Sequence, residues 1–138
     1  MPVPKPDSIV HPFEGDADRA RLKAALSARV WTSITLDYLG RSYGSPAEAL
    51  TYLTALGKAY FLPAFIRMCQ ENPTAADVLP IALLNSLLRP NSDREAMLRG
   101  LTALQKEYFL NFLEGRFSEP SDTDRLLVPR KLLKDAGR

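Results

Sequence analysis

The sequence is poor in residues that build chemical sites: it has one cysteine, Cys69, and one histidine, His11, among 138 residues. A lone cysteine cannot form an internal disulfide, so a reducing compartment is the simplest expectation. Zinc sites need clustered ligands, and Cys–His catalysis needs a third, orienting group. Because neither cluster is visible, we predict no metal, no cofactor and no catalytic residue. Cys69 lies in an apolar helical run, which predicts a buried, inert thiol, and His11 lies in a proline-rich arm, which favours a surface position.

Long apolar runs and a strong charge bias are also missing. No segment approaches the ~20 apolar residues needed to span a bilayer, and the N-terminal residues lack the apolar core of a signal peptide. Residues 1–115 carry 12 basic and 12 acidic side chains, whereas residues 116–138 carry 6 and 4. The clustered basic face of a nucleic-acid binder is therefore not expected. We predict a cytoplasmic protein whose partner is neither a membrane nor a nucleic acid, and we keep a nucleic-acid-associated regulator acting through the basic tail as an alternative.

What is present is helical periodicity. Apolar residues recur at spacings of three and four through most of the chain, and the one β-favouring run has no second run to pair with. The fold class is therefore predicted to be all-α, a compact orthogonal bundle of about five to seven short helices. We place the helical domain at residues 16–117, after an extended arm at residues 1–15 that contains four prolines. Residues 118–138 are predicted to form a polar linker and a C-terminal amphipathic helical segment, whose apolar side could be buried in a homodimer.

One stretch occurs twice. Residues 53–62 read LTALGKAYFL and residues 101–110 read LTALQKEYFL, with eight of ten positions identical and an offset of 48. In both copies a threonine precedes the helical run, which predicts a capped helix start. The shared Tyr-Phe pair predicts similar surroundings in the two helices. Pro63, directly after the first copy, predicts a kink or a break, and both duplication and convergence stay open as the origin of the similarity.

Short motifs carry a resemblance to a known family. They are the aromatic box at residues 60–64 (YFLPA), the helix start at residues 101–105 (LTALQ), the pair Phe112-Leu113, and an upstream segment with Trp31 and Ile34. Together they resemble a family of small bacterial all-helical proteins, without established function, that have a YYLPA-like box and an LT-x-x-Q helix start. The resemblance covers residues 9–115 and brings no catalytic residues to transfer. Families of this type often occur as small accessory or immunity-like proteins, which implies a binding role.

The leading hypothesis for function is a non-catalytic protein-binding module, and its sharpest form is a bacterial immunity protein that neutralises a toxin. Interfaces are enriched in Tyr, Trp and Arg, so the predicted partner-binding residues are Arg41, Tyr43, Tyr60 and Arg67. For the two tyrosines a core position is equally consistent with the sequence. The alternative is a small-ligand binder or enzyme with a pocket beside Tyr60 and Pro63, for which a deep cavity lined by Tyr60 is the expected sign.

Overall fold

Five helices begin where the sequence places a small polar side chain. In the computed structural model, Thr35, Ser45, Thr54, Asn91 and Thr102 each accept a hydrogen bond from the backbone N–H three residues further on. Such an N-cap satisfies a donor that the helix cannot pair internally, and it stabilises the helix by about 1 kcal/mol. These five helix starts are therefore specified by the local sequence.

The structure describes residues 9–10, 17–27, 29–76 and 78–135. Within these ranges the α-helices are α1 (Ala17–Leu26), α2 (Leu36–Ser42), α3 (Pro46–Tyr52), α4 (Ala55–Glu71), α5 (Pro73–Ala76), α6 (Leu79–Leu88), α7 (Ser92–Gly100), α8 (Ala103–Arg116) and α9 (Leu127–Asp135). Short 3-10 turns occur at Trp31–Ser33, Pro120–Asp122 and Asp124–Leu126. The all-α prediction is confirmed, and the helices outnumber the predicted set because several, such as α5, have only one or two turns. Most of the predicted arm, with His11, lies outside the described residues.

Helix α4 is the centre of the fold. Eleven of its 17 residues are buried, and it packs against α5, α6, α7, α8 and the Trp31–Ser33 turn. It continues through Pro63 as one helix, so of the two predicted outcomes, a kink or a break, the break is wrong. An interior proline costs about 3 kcal/mol, but Phe61 and Phe65 are buried on either side of it, and a break would withdraw one of them from the core. Packing therefore outweighs the local preference.

The remaining helices surround α4 and contact one another. Helix α1 packs on α2, α2 on α3, α3 on α6, and α9 on both α6 and α8. The buried side chains of α9 include Pro129 and Leu133. The apolar side of the C-terminal segment thus packs within the chain. The predicted homodimer, which was to bury that side, stays a prediction.

A short extended segment, Ile9 and Val10, lies across the start of α4. Val10 forms an antiparallel bridge with Leu53, and the Thr54 N–H donates to the Ile9 carbonyl oxygen at 2.9 Å. Gly57 permits this approach, because a Cβ added there would overlap the Ile9 carbonyl oxygen and stand 3.1 Å from the carbonyl carbon. Gly57 is required here because any side chain would occupy the space that the Ile9 backbone fills.

We expect Gly57→Ala to lower the free energy of unfolding by about 1–3 kcal/mol, the usual cost of overpacking, although alanine is the better helix former by about 1 kcal/mol. Gly115→Ala is the matched control, because Gly115 lies in α8 and an added Cβ would have no neighbour within 4 Å. That control should gain stability. Urea unfolding of both variants measures the difference, and equal stabilisation by the two substitutions would contradict the close approach of Ile9.

Candidate functional site

An open groove lies between α4, α8 and residues 30–35, which we call the 30s segment. This α4–α8 groove has a volume of about 510 Å³ and is lined by Trp31, Pro63, Arg67, Thr102, Leu104, Gln105 and Tyr108. Pro63 and Arg67 stand about one turn apart on α4, and Leu104 and Tyr108 stand about one turn apart on α8. Each helix therefore presents one face to the groove, and the lining is mainly apolar.

Two side chains of α4 hold the 30s segment in place. The Tyr60 hydroxyl accepts a hydrogen bond from the Trp31 backbone N–H at 3.3 Å. The Arg67 guanidinium donates to the carbonyl oxygens of Thr32 and Ile34, at 3.3 and 2.6 Å. The same guanidinium lies 5.8 Å from the centroid of the Trp31 ring. The position of the tryptophan, and with it one wall of the groove, depends on these α4 contacts.

Helix α8 turns two large side chains towards solvent at the groove. Leu104 is 72% exposed, the highest value for any large apolar side chain in the described ranges, and Tyr108 is 39% exposed. Helix geometry explains this, because Leu104 precedes the buried Phe109 by five residues and lies about 140° from it around the helix. The Tyr108 hydroxyl donates to Oε1 of Gln70 at 3.0 Å. Burial raises the pKa of Tyr108, and the bond to Gln70 partly opposes that effect.

Of the four predicted partner-binding residues, only Arg67 lines the groove. Tyr60 lies behind the groove and is 5% exposed. Its ring meets Phe61 edge to face, with 4.8 Å between the ring centroids, and its hydroxyl is bonded to the 30s segment. A cavity beside Pro63 is present, but Tyr60 does not line it as the small-ligand alternative expected.

Arg41 and Tyr43 lie elsewhere, at the C-terminal end of α2. Tyr43 is 8% exposed, donates to Oε1 of Glu48 at 3.1 Å, and packs under the Arg21 guanidinium at 5.1 Å. Burial raises the pKa of Tyr43, and the bond to Glu48 raises it further. Arg41 is exposed and pairs with Asp37 at 2.6 Å. The sequence left core and surface positions open for both predicted tyrosines, and the structure places both in the core.

Leu104, Thr102 and Gln105 line the groove but were not among the site residues predicted from the sequence. Thr102 and Gln105 form a reciprocal capping box: Gln105 N–H donates to Thr102 Oγ1 at 3.2 Å, and Thr102 N–H donates to Gln105 Oε1 at 2.9 Å. The box was visible in the sequence, but its place at a groove depends on α4. Leu104 could have been recognised from its phase, since it lies nearly opposite the apolar side of α8.

The described ranges also bear on metal binding, on membrane crossing and on nucleic-acid binding by the basic tail. There, no three His, Cys, Asp or Glu side chains gather where they could hold a metal ion. No helix in those ranges has both the length and the apolar composition that a bilayer crossing requires. In the basic tail, Arg125 pairs with Asp122 at 3.7 Å and Arg130 pairs with Glu114 at 3.6 Å, so two of its cations face carboxylates.

Cys69 is buried in α4, which confirms the predicted burial. Burial raises the pKa of the Cys69 thiol to about 12, and the nearby Arg116 opposes the shift only in part. Because the thiolate is the nucleophile, a pKa this far above neutral keeps the thiol protonated and unreactive.

We therefore expect Cys69 to resist alkylation by iodoacetamide at about pH 8 in the folded protein and to react readily in urea, where its pKa returns to the ordinary value near 8.5. The matched control is Leu127→Cys in a Cys69→Ala background, because Leu127 is 59% exposed. Mass spectrometry of timed samples gives both rates. Equal rates for the two folded proteins would contradict the buried, protonated thiol.

No protein-family model matches the chain, and the comparisons with curated proteins and with solved structures found no match. The resemblance to the YYLPA-like family stays a prediction.

Proposed function

We propose that this chain is a non-catalytic protein-binding module that takes an apolar side chain of its partner into the α4–α8 groove. The observation that carries the proposal is the exposure of Leu104 beside Tyr108 on the rim of a concave, mainly apolar surface. Leaving apolar surface in water costs about 25 cal/mol per Å². A partner that covers the groove recovers this free energy on binding.

The polar groups of the groove support apolar recognition. Arg67 already bonds two carbonyl oxygens of the 30s segment, Tyr108 is bonded to Gln70, and Thr102 is bonded to Gln105. These bonds use part of the polar capacity of the groove, so we expect burial and shape to supply most of the affinity. Trp, Tyr and Arg around a pocket are also the residues that most often dominate binding energy at protein interfaces.

The sharpest form of this function is a bacterial immunity protein that acts in the cytoplasm and blocks a toxin by forming a one-to-one complex. The small size, the balanced charge of residues 1–115 and the family resemblance motivate this form. It predicts that the partner is encoded next to this protein.

A second candidate function is the binding of a small apolar ligand in the same groove. Its volume of about 510 Å³ lies within the range of about 300–1,000 Å³ that is usual for ligand pockets. The groove is open, and Tyr60 does not line it. Both features favour a protein partner over a small ligand.

Leu104→Asp tests the groove, because it places a charge on an exposed position without disturbing the core. We expect the wild-type protein, tagged and purified from its native host, to bring down one protein in one-to-one ratio, and Leu104→Asp to weaken that complex roughly 30-fold, a hot-spot effect of about 2 kcal/mol. Leu127→Asp is the control, since Leu127 is exposed on α9 outside the groove, and it should keep full affinity. Calorimetry with the purified partner gives the ratio of the dissociation constants.

Recovery of the protein alone from its host would count against the proposed function, and equal binding by Leu104→Asp would remove the groove from it. Trp31, the one tryptophan in the sequence, separates the two candidates because it lines the groove. A small apolar ligand in the extract would change its fluorescence after all proteins have been removed by filtration, whereas a protein partner would not.

A further inference from the structure

A second cavity, of about 310 Å³, lies among α3, α4, α6 and the start of α7. It shares no lining residue with the α4–α8 groove. Helix α4 contributes Lys58 to this cavity and Arg67 to the groove, and nine residues at about 100° each place these two side chains on opposite sides of the helix. We call the second cavity the basic cavity.

Positive side chains predominate in the basic cavity. Lys58, Arg89 and Arg94 line it, and Asp93 is the one carboxylate among its lining residues. Arg94 is only 15% exposed and is fixed by Glu95, at 3.2 Å between Nη2 and Oε1, so its charge is balanced. Lys58 and Arg89 supply the remaining positive charge, which Asp93 offsets in part.

Burial and charges of both signs act on Lys58. Burial lowers the pKa of Lys58, Asp93 opposes the shift, and Arg89 adds to it. A bound negative group would favour the charged lysine and reduce the repulsion between Lys58 and Arg89. Half-buried Lys58 and exposed Arg89 line one recess in which Asp93 is the one lining carboxylate, and this arrangement favours an anionic ligand.

The start of α7 contributes to the same wall. The side-chain oxygen of Asn91 accepts the Arg94 N–H at 2.8 Å, so the Asn91 amide nitrogen is left as a donor. The positive end of the α7 dipole also lies here, where Asp93 and Glu95 of the first turn already complement it. Apolar side chains, Leu50 and Met97 among them, also line the cavity and can contact the carbon part of a small organic molecule.

We propose that the basic cavity binds a small organic anion of phosphate-monoester or carboxylate type, held by Lys58 and Arg89 with the Asn91 amide as a further donor. The guanidinium can bind two oxygens of such a group at once, and the ammonium bonds a third. The volume is at the lower end of the range for ligand pockets, which matches a metabolite-sized ligand. This site does not depend on the proposed protein-binding function of the groove.

The test is calorimetric titration of the full chain with three probes: inorganic phosphate, glycerol 3-phosphate and succinate. We expect saturable binding of at least one organic probe, tighter than that of inorganic phosphate. Arg89→Gln and Lys58→Met should each raise the dissociation constant at least tenfold. Arg99→Gln is the matched control, because Arg99 is exposed on α7 outside the cavity, and Leu104→Asp is the control for the groove; both should bind within twofold of wild type.

A second readout uses Lys58 itself. Its side-chain carbon resonance, followed through a pH titration, should show a pKa that rises when the best-bound probe is present. The absence of saturable binding for all three probes would overturn the proposal. Equal weakening of probe binding by Arg99→Gln and Arg89→Gln would also overturn the proposal, since that result indicates attraction to the general surface charge. Tighter binding of inorganic phosphate than of either organic probe would refute the organic part of the ligand.

Discussion

The structure depends on α4 remaining one helix through Pro63. The proline removes one backbone donor and crowds the preceding turn, at a cost of about 3 kcal/mol. Buried side chains on both sides of it, Phe61 and Phe65 among them, offset that cost because each fully buried aromatic contributes about 1.5–3 kcal/mol. The helix in turn supplies contacts to α5, α6, α7, α8 and the 30s segment. A break at Pro63 would therefore affect the whole core as well as the local backbone.

The two similar stretches show how one local pattern is completed in two ways. Thr54 and Thr102 both cap a helix, and each leaves its own backbone N–H to be satisfied. In α8 the Gln105 side chain accepts that bond. In α4 the aligned residue is Gly57, and the Ile9 carbonyl accepts the bond in its place. The glycine removes the side-chain acceptor and at the same time opens the space that lets Ile9 approach, so this difference between the copies has a packing reason.

The parts of the structure that depend on local chemistry could be predicted from the sequence. The all-α class and the capping threonines follow from periodicity and from the need to satisfy free N–H groups. The predictions were wrong where the environment of a residue depends on a segment distant in the chain. Tyr60 and Tyr108 occupy the same position in the repeat, yet Tyr60 is buried and Tyr108 is 39% exposed, because the 30s segment bonds Tyr60 and leaves Tyr108 open at the groove. Pro63 was expected to kink or break the helix, and the break was wrong for the same reason: the packing that holds α4 together is contributed by other parts of the chain. The small-ligand alternative placed a pocket beside Pro63, but Leu104, the most exposed residue of the groove, was not among the predicted site residues. An apolar residue in an amphipathic helix is identified as exposed only by its phase.

The continuity of α4 also links the fold to the candidate site. Tyr60 lies before Pro63 and Arg67 lies after it, and both bond backbone groups of the 30s segment. These two side chains can reach one segment together only if the helix keeps its direction and phase across the proline. The hydrogen bonds to the segment then fix Trp31, which forms one wall of the groove. Arg67, predicted from the sequence as a partner-binding residue, thus acts mainly by shaping the surface that α8 completes with Leu104. The groove is a consequence of the same packing that keeps the helix intact, and a substitution that bends α4 would change the groove without touching any exposed residue.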